Sequence, residues 1–198
     1  MTKNIREQVV NLLLEIERDK SYAQLALKNE LKNVTGPDKG FMTEVVYGTL
    51  KYQIKLDYII NQFSKIPVRK MKPLIRVLFR MSAYQLMCLD KVPTSAVINE
   101  AVKIAKKRKF VALSGFVNGV LRTIDREREN IKYPSKEKET VHYMSVMYSL
   151  PEWMIETWLK SYDMAKVEAI CNALNERAQV CIRVNTLKAS KEEVIKKT

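Results

Sequence analysis

The chain has 198 residues, 46% of them apolar, and carries 35 Lys and Arg against 22 Asp and Glu, a formal net charge of +13. That apolar content supports a folded core and excludes wholesale disorder; no apolar run approaches the ~18–20 residues that span a bilayer, and the start, MTKNIREQVV, lacks the apolar centre of a signal peptide. A single histidine excludes a His-rich metal site, and three cysteines without a Cys-x-x-Cys pair point to reduced thiols in the cytoplasm rather than to a disulfide framework.

In chain order, Ile5, Val9, Leu12, Leu13 and Ile16 fall on one helical stripe. Ser21 and Gln24 have capping-box spacing ahead of a second helix, YAQLALKNEL. TGPDKG interrupts the chain, and Phe41, Val45, Val46 and Leu50 open a third helix that runs on, bent, through YQIKLDYIINQF. A basic loop with two prolines, SKIPVRKMKP, leads into a long helix marked by Leu74, Val77, Leu78 and Met81 and ending near Leu89. TSAVINEAVKIAKK is the next helix, and Phe116, Val117, Val120, Leu121 and Ile124 mark one more. The polar stretch NIKYPSKEKET then reads as a linker, which divides the chain into residues 1–130, a linker at 131–140 and residues 141–198.

Beyond the linker, Ser149 and Glu152 form a capping box with Pro151 in the first turn, opening EWMIETWLKSY; Asp163 caps a further helix. AQVCIRV, ending in Cys181–Val184, is the first β-favouring run. Asn185-Thr186 is a turn signal, and Ser190 with Glu193 is a capping box that opens a last helix. The fold class is therefore mainly α: an all-helical domain, a short helical segment, and the first strand and helix of an α/β subdomain.

The charge is unevenly placed. Residues 1–50 hold 7 basic and 7 acidic side chains, residues 51–122 hold 15 and 3, and residues 123–198 hold 13 and 12, so a net +12 sits in one block. Such a block points to a polyanion, nucleic acid being the commonest. Two stretches are candidate RNA contacts. The first is Lys65, Arg69, Lys70, Lys72 and Arg76, with no acid between Asp57 and Asp90; Lys72, Arg76 and Arg80 are spaced by four and line one helix face. The second is Lys106, Lys107, Arg108 and Lys109, more cations than a helix C-terminus needs. Arg80, deep in an apolar helix, is better explained as a structural charge, and Glu100 in the next helix is its expected partner. Asn118, between Gly115 and Gly119, is expected to bond a neighbouring backbone. His142 has no relay around it, and Cys88, Cys171 and Cys181 lie in apolar contexts that favour inert packing. No glycine-rich phosphate or cofactor loop is present among the five glycines.

The segments EVVYGTLKYQIKLDYII, LIRVLFRMSAYQLMCLDKVPTSAVINEAVKIAKK and GFVNGVLRTIDRE resemble the NusB-like helical domain. Followed in the same order by SLPEWMIETWLKSY and RVNTLK, they resemble the N-terminal region of the Sun/Fmu (RsmB) family of ribosomal RNA methyltransferases. The resemblance implies an RNA-binding targeting region for a S-adenosylmethionine-dependent enzyme that makes 5-methylcytosine in small-subunit rRNA. It also implies that RVNTLK opens a small α/β subdomain ahead of a Rossmann-like domain. The family's cysteines lie in Pro-Cys and Thr-Cys-Asn contexts, which none of the three here matches, so no catalytic residue, cofactor or metal is expected in these 198 residues. The expected partner is small-subunit rRNA, with no membrane, and a protein partner for the helical domain is left open. Two alternatives stand beside this reading: a NusB-type antitermination factor that binds RNA with a ribosomal protein, and a helical protein-docking module.

Overall fold

The structure, a computed structural model, describes residues 4–176 and 181–195. Eleven α-helices are present among them. Seven contribute buried side chains to the main core, among them α1 (Ile5–Asp19), α3 (Pro37–Lys51), α4 (Gln53–Phe63), α5 (Pro73–Cys88) and α6 (Thr94–Lys107). With α2 (Ala23–Glu30) and α7 (Ser114–Arg126) they make a helical bundle. The stripe on α1 is buried as expected from Val9 to Ile16, and Asn4 caps it, its side-chain oxygen accepting from the Arg6 and Glu7 amides at 3.0 and 3.4 Å. Helix α5 is the axis of the bundle. Leu74, Ile75 and every residue from Val77 to Leu86 are buried, so it packs on neighbours all round rather than along one face.

The third and fourth helices meet at Tyr52, whose φ of −95° and ψ of 20° leave the helical range although its amide still bonds the Gly48 carbonyl and its carbonyl the Leu56 amide, at 3.0 and 2.8 Å. One turn before that junction, the hydroxyl end of the Tyr84 ring of α5 packs against Gly48, where a Cβ would stand 1.9 Å from the ring carbon bearing the hydroxyl. Glycine here is a packing requirement: only a hydrogen fits between the two helices.

Residues 131–139, read as a linker, are irregular but held along α4. Gln62 accepts from the Lys132 amide at 3.1 Å, Tyr58 donates to the Lys132 carbonyl at 2.9 Å, and the Tyr58 and Tyr133 rings stack at 6.3 Å. A helix that the periodicity does not reveal follows, α8 (Thr140–Tyr148). With α9 (Glu152–Leu159) and α10 (Met164–Asn175) it closes a second, small core of Met144, Ile155, Val167 and Cys171. Asp163 caps α10 as expected, accepting from Lys166 at 2.8 Å.

Three local expectations are corrected. Ser21 does not cap α2: the helix starts behind Tyr22, whose carbonyl receives the Leu25 and Ala26 amides, and the Ser21 hydroxyl is buried without a hydrogen-bond partner. Ser149 does not cap α9. It ends α8 in the left-handed region, φ 56°, and its hydroxyl accepts from the Ile54 and Lys55 amides at 3.0 and 3.4 Å, capping the start of α4 from 95 and 94 residues away. Cys181–Val184 forms no strand among the described residues, because no neighbouring strand is there to pair with it; the rest of that run, residues 178–180, lies outside them. The Ser190–Glu193 capping box is reciprocal, at 3.2 and 2.8 Å, and opens α11 (Lys191–Ile195).

Replacing Gly48 by Ala sets two effects against each other. Helix propensity favours Ala by about 1 kcal/mol, but the methyl overlaps a ring that is itself 3% exposed and hydrogen-bonded to Glu44. Overpacking of this kind costs about 1–3 kcal/mol, so Gly48→Ala is expected to lower the urea midpoint; a rise would mean that Tyr84 swings aside freely.

Candidate nucleic-acid interface

The basic block spans α4 to α7, and the fold sorts its cations by what each can reach. Arg76 and Arg80 point inward. Arg80 lies across from Asp57 in the antiparallel α4–α5 hairpin, and the two make a bidentate pair, Nε–Oδ1 and Nη2–Oδ2 both at 2.6 Å. Glu17 of α1 completes the cluster, 3.5 Å from Arg80 and 2.7 Å from Arg76. Arg80 is therefore structural as expected, but its partner is not Glu100. Glu100 lies on α6, where it faces Asn4 and, at 3.4 Å, Lys103. Asp57 is six residues before the end of α4 and Arg80 seven after the start of α5, so hairpin geometry brings them level.

This also changes the stripe of Lys72, Arg76 and Arg80. Arg76 is committed to Glu17 and to the Met71 carbonyl, and its side chain is 18% exposed. Only Lys72 of the three stands free in solvent. The loop before it is built to turn cations outward. Asn61 accepts from the Val68 amide at 2.8 Å, the Ser64 hydroxyl bridges the Ile66 amide and carbonyl, and Val68 and Met71 are plugged into the core. With those anchors buried, Lys65, Arg69, Lys70 and Lys72 are all exposed. Lys65 also walls an open groove of about 490 Å³ beside Phe116, Gly119 and Thr123 of α7.

The second stretch is divided. Lys107 reaches Glu7 at 2.6 Å, and Arg108 reaches Glu7 at 3.2 Å and Asn11, so these two tie the end of α6 to α1. Their charges, Lys107 first, hold the Glu7 carboxyl below its ordinary range. Lys106 and Lys109 are exposed, and Lys109 turns the chain with φ 65°.

Other candidates resolve simply. Asn118 accepts from Arg122 at 3.1 Å rather than bonding backbone. His142 is 2.6 Å from Glu152 and sits edge-on to Tyr58, a packing arrangement with no nucleophile near it. Cys171 is buried, whereas Cys88 and Cys181 are exposed, contrary to the inert packing expected for all three. No group of acids, histidines or cysteines suited to a metal occurs among the described residues, and none of their helices is long and apolar enough to cross a membrane. Sequence reasoning passed over Lys51 and Lys55, whose ammonium groups lie 5.3 and 5.5 Å from the ring centres of Tyr52 and Tyr133; the available signal was a lysine next to Tyr52 and another three residues after it.

Comparison with known proteins fits this arrangement. The model of the NusB family matches residues 3–126, the whole of α1 to α7. The chain belongs to the NusB family. A second model, the RsmF/B-like methyltransferase ferredoxin-like domain, matches residues 150–197, beyond the NusB region. The probable ribosomal RNA small subunit methyltransferase B of Bacillus subtilis is 35% identical over 97% of this chain and 43% of its own length; that of Synechocystis is 34% identical over 96% and 42%. The chain thus spans less than half the length of these relatives. In structure, T. maritima NusB superposes with a TM-score of 0.58 and 23% identity, covering 64% of this chain and 94% of its own. The crystal structure of PH0851 superposes with a TM-score of 0.66 and 21% identity over 99% of this chain and 44% of its own. These two likenesses establish the shared fold.

The Glu7 contacts set a pH dependence. A carboxyl whose folded pKa is depressed contributes stability that is full above its unfolded value, 4.5, and is lost as pH falls through the folded value. Lys107 is 66% exposed, so the contribution is screened to about 0.5–1 kcal/mol. Glu7→Gln is expected to lower stability at neutral pH by that amount and to flatten the fall below pH 4.5; parallel urea titrations of the two proteins at acid and neutral pH check it.

Proposed function

We propose that this chain is the RNA-binding N-terminal region of a small-subunit rRNA methyltransferase. The single observation that carries the reading is the co-occurrence, in order, of the NusB-family region and the RsmF/B-like ferredoxin-like match, on a chain whose excess positive charge lies in residues 51–122. A NusB-type antitermination factor is the weaker reading, because T. maritima NusB is nearly used up by 64% of this chain and leaves the ferredoxin-like match unexplained. We take residues 1–130 as the RNA-binding helical domain, 131–140 as the connection and 141–198 as the start of the next subdomain, in a cytoplasmic protein.

The activity we infer for the complete enzyme is transfer of a methyl group from S-adenosylmethionine to C5 of a cytosine in rRNA. The described residues do not fit that cofactor: Gly36 and Gly40 stand at the start of α3, Gly48 is packed under Tyr84, and Gly115 and Gly119 lie within α7, so no glycine-rich strand–loop–helix turn is formed. The role assigned here is to hold the RNA.

Lys65, Arg69, Lys70 and Lys72 are the phosphate contacts best placed for it, with Lys106 and Lys109 beside α7 as a second group. Arg76, Lys107 and Arg108 hold helices together and contribute field rather than direct contact. Neutralising about four phosphates gives a slope of log affinity against log salt of roughly −3 to −4. Changing Lys65, Arg69, Lys70 and Lys72 to alanine is expected to flatten that slope by most of its value, with little change in thermal stability, since these charges are exposed. An unchanged slope, read by filter binding to small-subunit rRNA at several salt concentrations, would remove the loop from the RNA contact.

A further inference from the structure

A half-open cavity of about 390 Å³ lies between the start of α4 and the end of α5, closed on one side by Tyr133 from the segment after α7. Its size falls in the range that holds small planar ligands. Its floor is apolar, formed by Leu56 and Ile59. Its walls are aromatic. Tyr52 and Tyr84 stand nearly parallel, 15° apart with ring centres at 6.2 Å, and Tyr133 is braced from behind by Tyr58 at 12°. The rim is basic: Lys55 holds its ammonium 5.5 Å from the Tyr133 ring centre and makes no ion pair among the described residues. Lys51 leans over Tyr52 and donates to the Asn175 carbonyl.

We propose that this cavity receives one unstacked nucleobase of a single-stranded RNA segment, stacked on tyrosine, with Lys55 on the adjoining phosphate. The proposal rests on the RNA-binding reading above and adds a second point of contact to it. Base–aromatic stacking tolerates any base, because each has a π-face, and single-strand sites pair such platforms with backbone cations. Tyr133 suits that role as a neutral ring, since burial pushes its hydroxyl above the usual pKa, while Tyr84, 3% exposed and donating to Glu44, backs the wall behind Tyr52. Lys55 and Lys65 are ten residues apart along and just past α4, roughly 15 Å. A few nucleotides of single strand cover that distance, so one RNA can occupy both the cavity and the basic loop.

Cys88 makes the cavity testable in the protein as it stands. The residue lines the cavity and is exposed to solvent, yet burial pushes its thiol pKa up. Cys171 is buried, and Cys181→Ser removes the other exposed thiol. Alkylation of Cys88 by iodoacetamide is measured with and without a single-stranded oligouridylate of about ten nucleotides, its binding followed by anisotropy in the same samples. We expect saturating RNA to slow Cys88 alkylation about fivefold or more. Tyr133→Leu and Lys55→Met should each weaken RNA binding about tenfold or less and abolish the protection, with Cys171 staying unreactive as the sign of an intact fold. RNA that binds while Cys88 alkylates at its free rate overturns the cavity and leaves the basic loop standing. Failure of both the oligonucleotide and small-subunit rRNA to bind overturns the RNA reading and this proposal together. Protection by an acidic, aromatic peptide but not by RNA overturns the proposal and makes the cavity a protein-docking site.

Discussion

The constraint on which the bundle depends is the charge of Arg80. Its side chain is 11% exposed, on the helix that forms the axis of the core. A guanidinium cannot shed its proton, so it must be paired where it lies. Asp57 meets it through both oxygens and Glu17 from a third helix. One buried cation thereby fixes the register of the α4–α5 hairpin and docks α1 across it. The loop between α4 and α5, plugged by Val68 and Met71, inherits its position from that register.

The same cluster divides the +12 block into two kinds of charge. Arginines at 76 and 80, and Lys107 and Arg108 at the far end of α1, spend their charge on Glu17, Asp57 and Glu7. Ten residues separate Glu7 from Glu17 along α1, so this helix is clamped near both ends, roughly 15 Å apart. What remains outward is mainly lysine on short anchored turns, strongly hydrated point charges suited to contacting phosphate without reading sequence. On the proposed reading, a surface built this way leaves specificity to other contacts, and aromatic platforms beside it are one chemical means of supplying them.

Helices with a stripe of apolar residues were legible because a 3.6-residue period carries the burial pattern directly; α1 and α7 are examples. Helix α8 was not, since TVHYMSVMY is apolar on most sides and shows no stripe. Side-chain caps were legible only when the capped helix followed at once, as at Asp163 and Ser190. Ser149 has the right spacing to cap α9 and instead caps α4, a partner that only the tertiary fold brings near. Arg80 was recognisable as a buried charge, but its partner was sought in the next helix, while the antiparallel hairpin offered Asp57. The exposed loop 65–72 followed from its prolines and charge. The tyrosine cavity did not, because Tyr52, Tyr84 and Tyr133 are brought together from three separate segments.

Ultraviolet cross-linking of the 198-residue chain to small-subunit rRNA, followed by mass spectrometry of the linked peptides, tests the central claim most directly. The account predicts cross-links within residues 51–72 and at Tyr133, with none on Arg76 or Arg80, whose side chains are held by acids of the same chain. Cross-links concentrated in residues 1–50, or along α9 and α10, would contradict it, since RNA would then be binding away from the block that carries the charge.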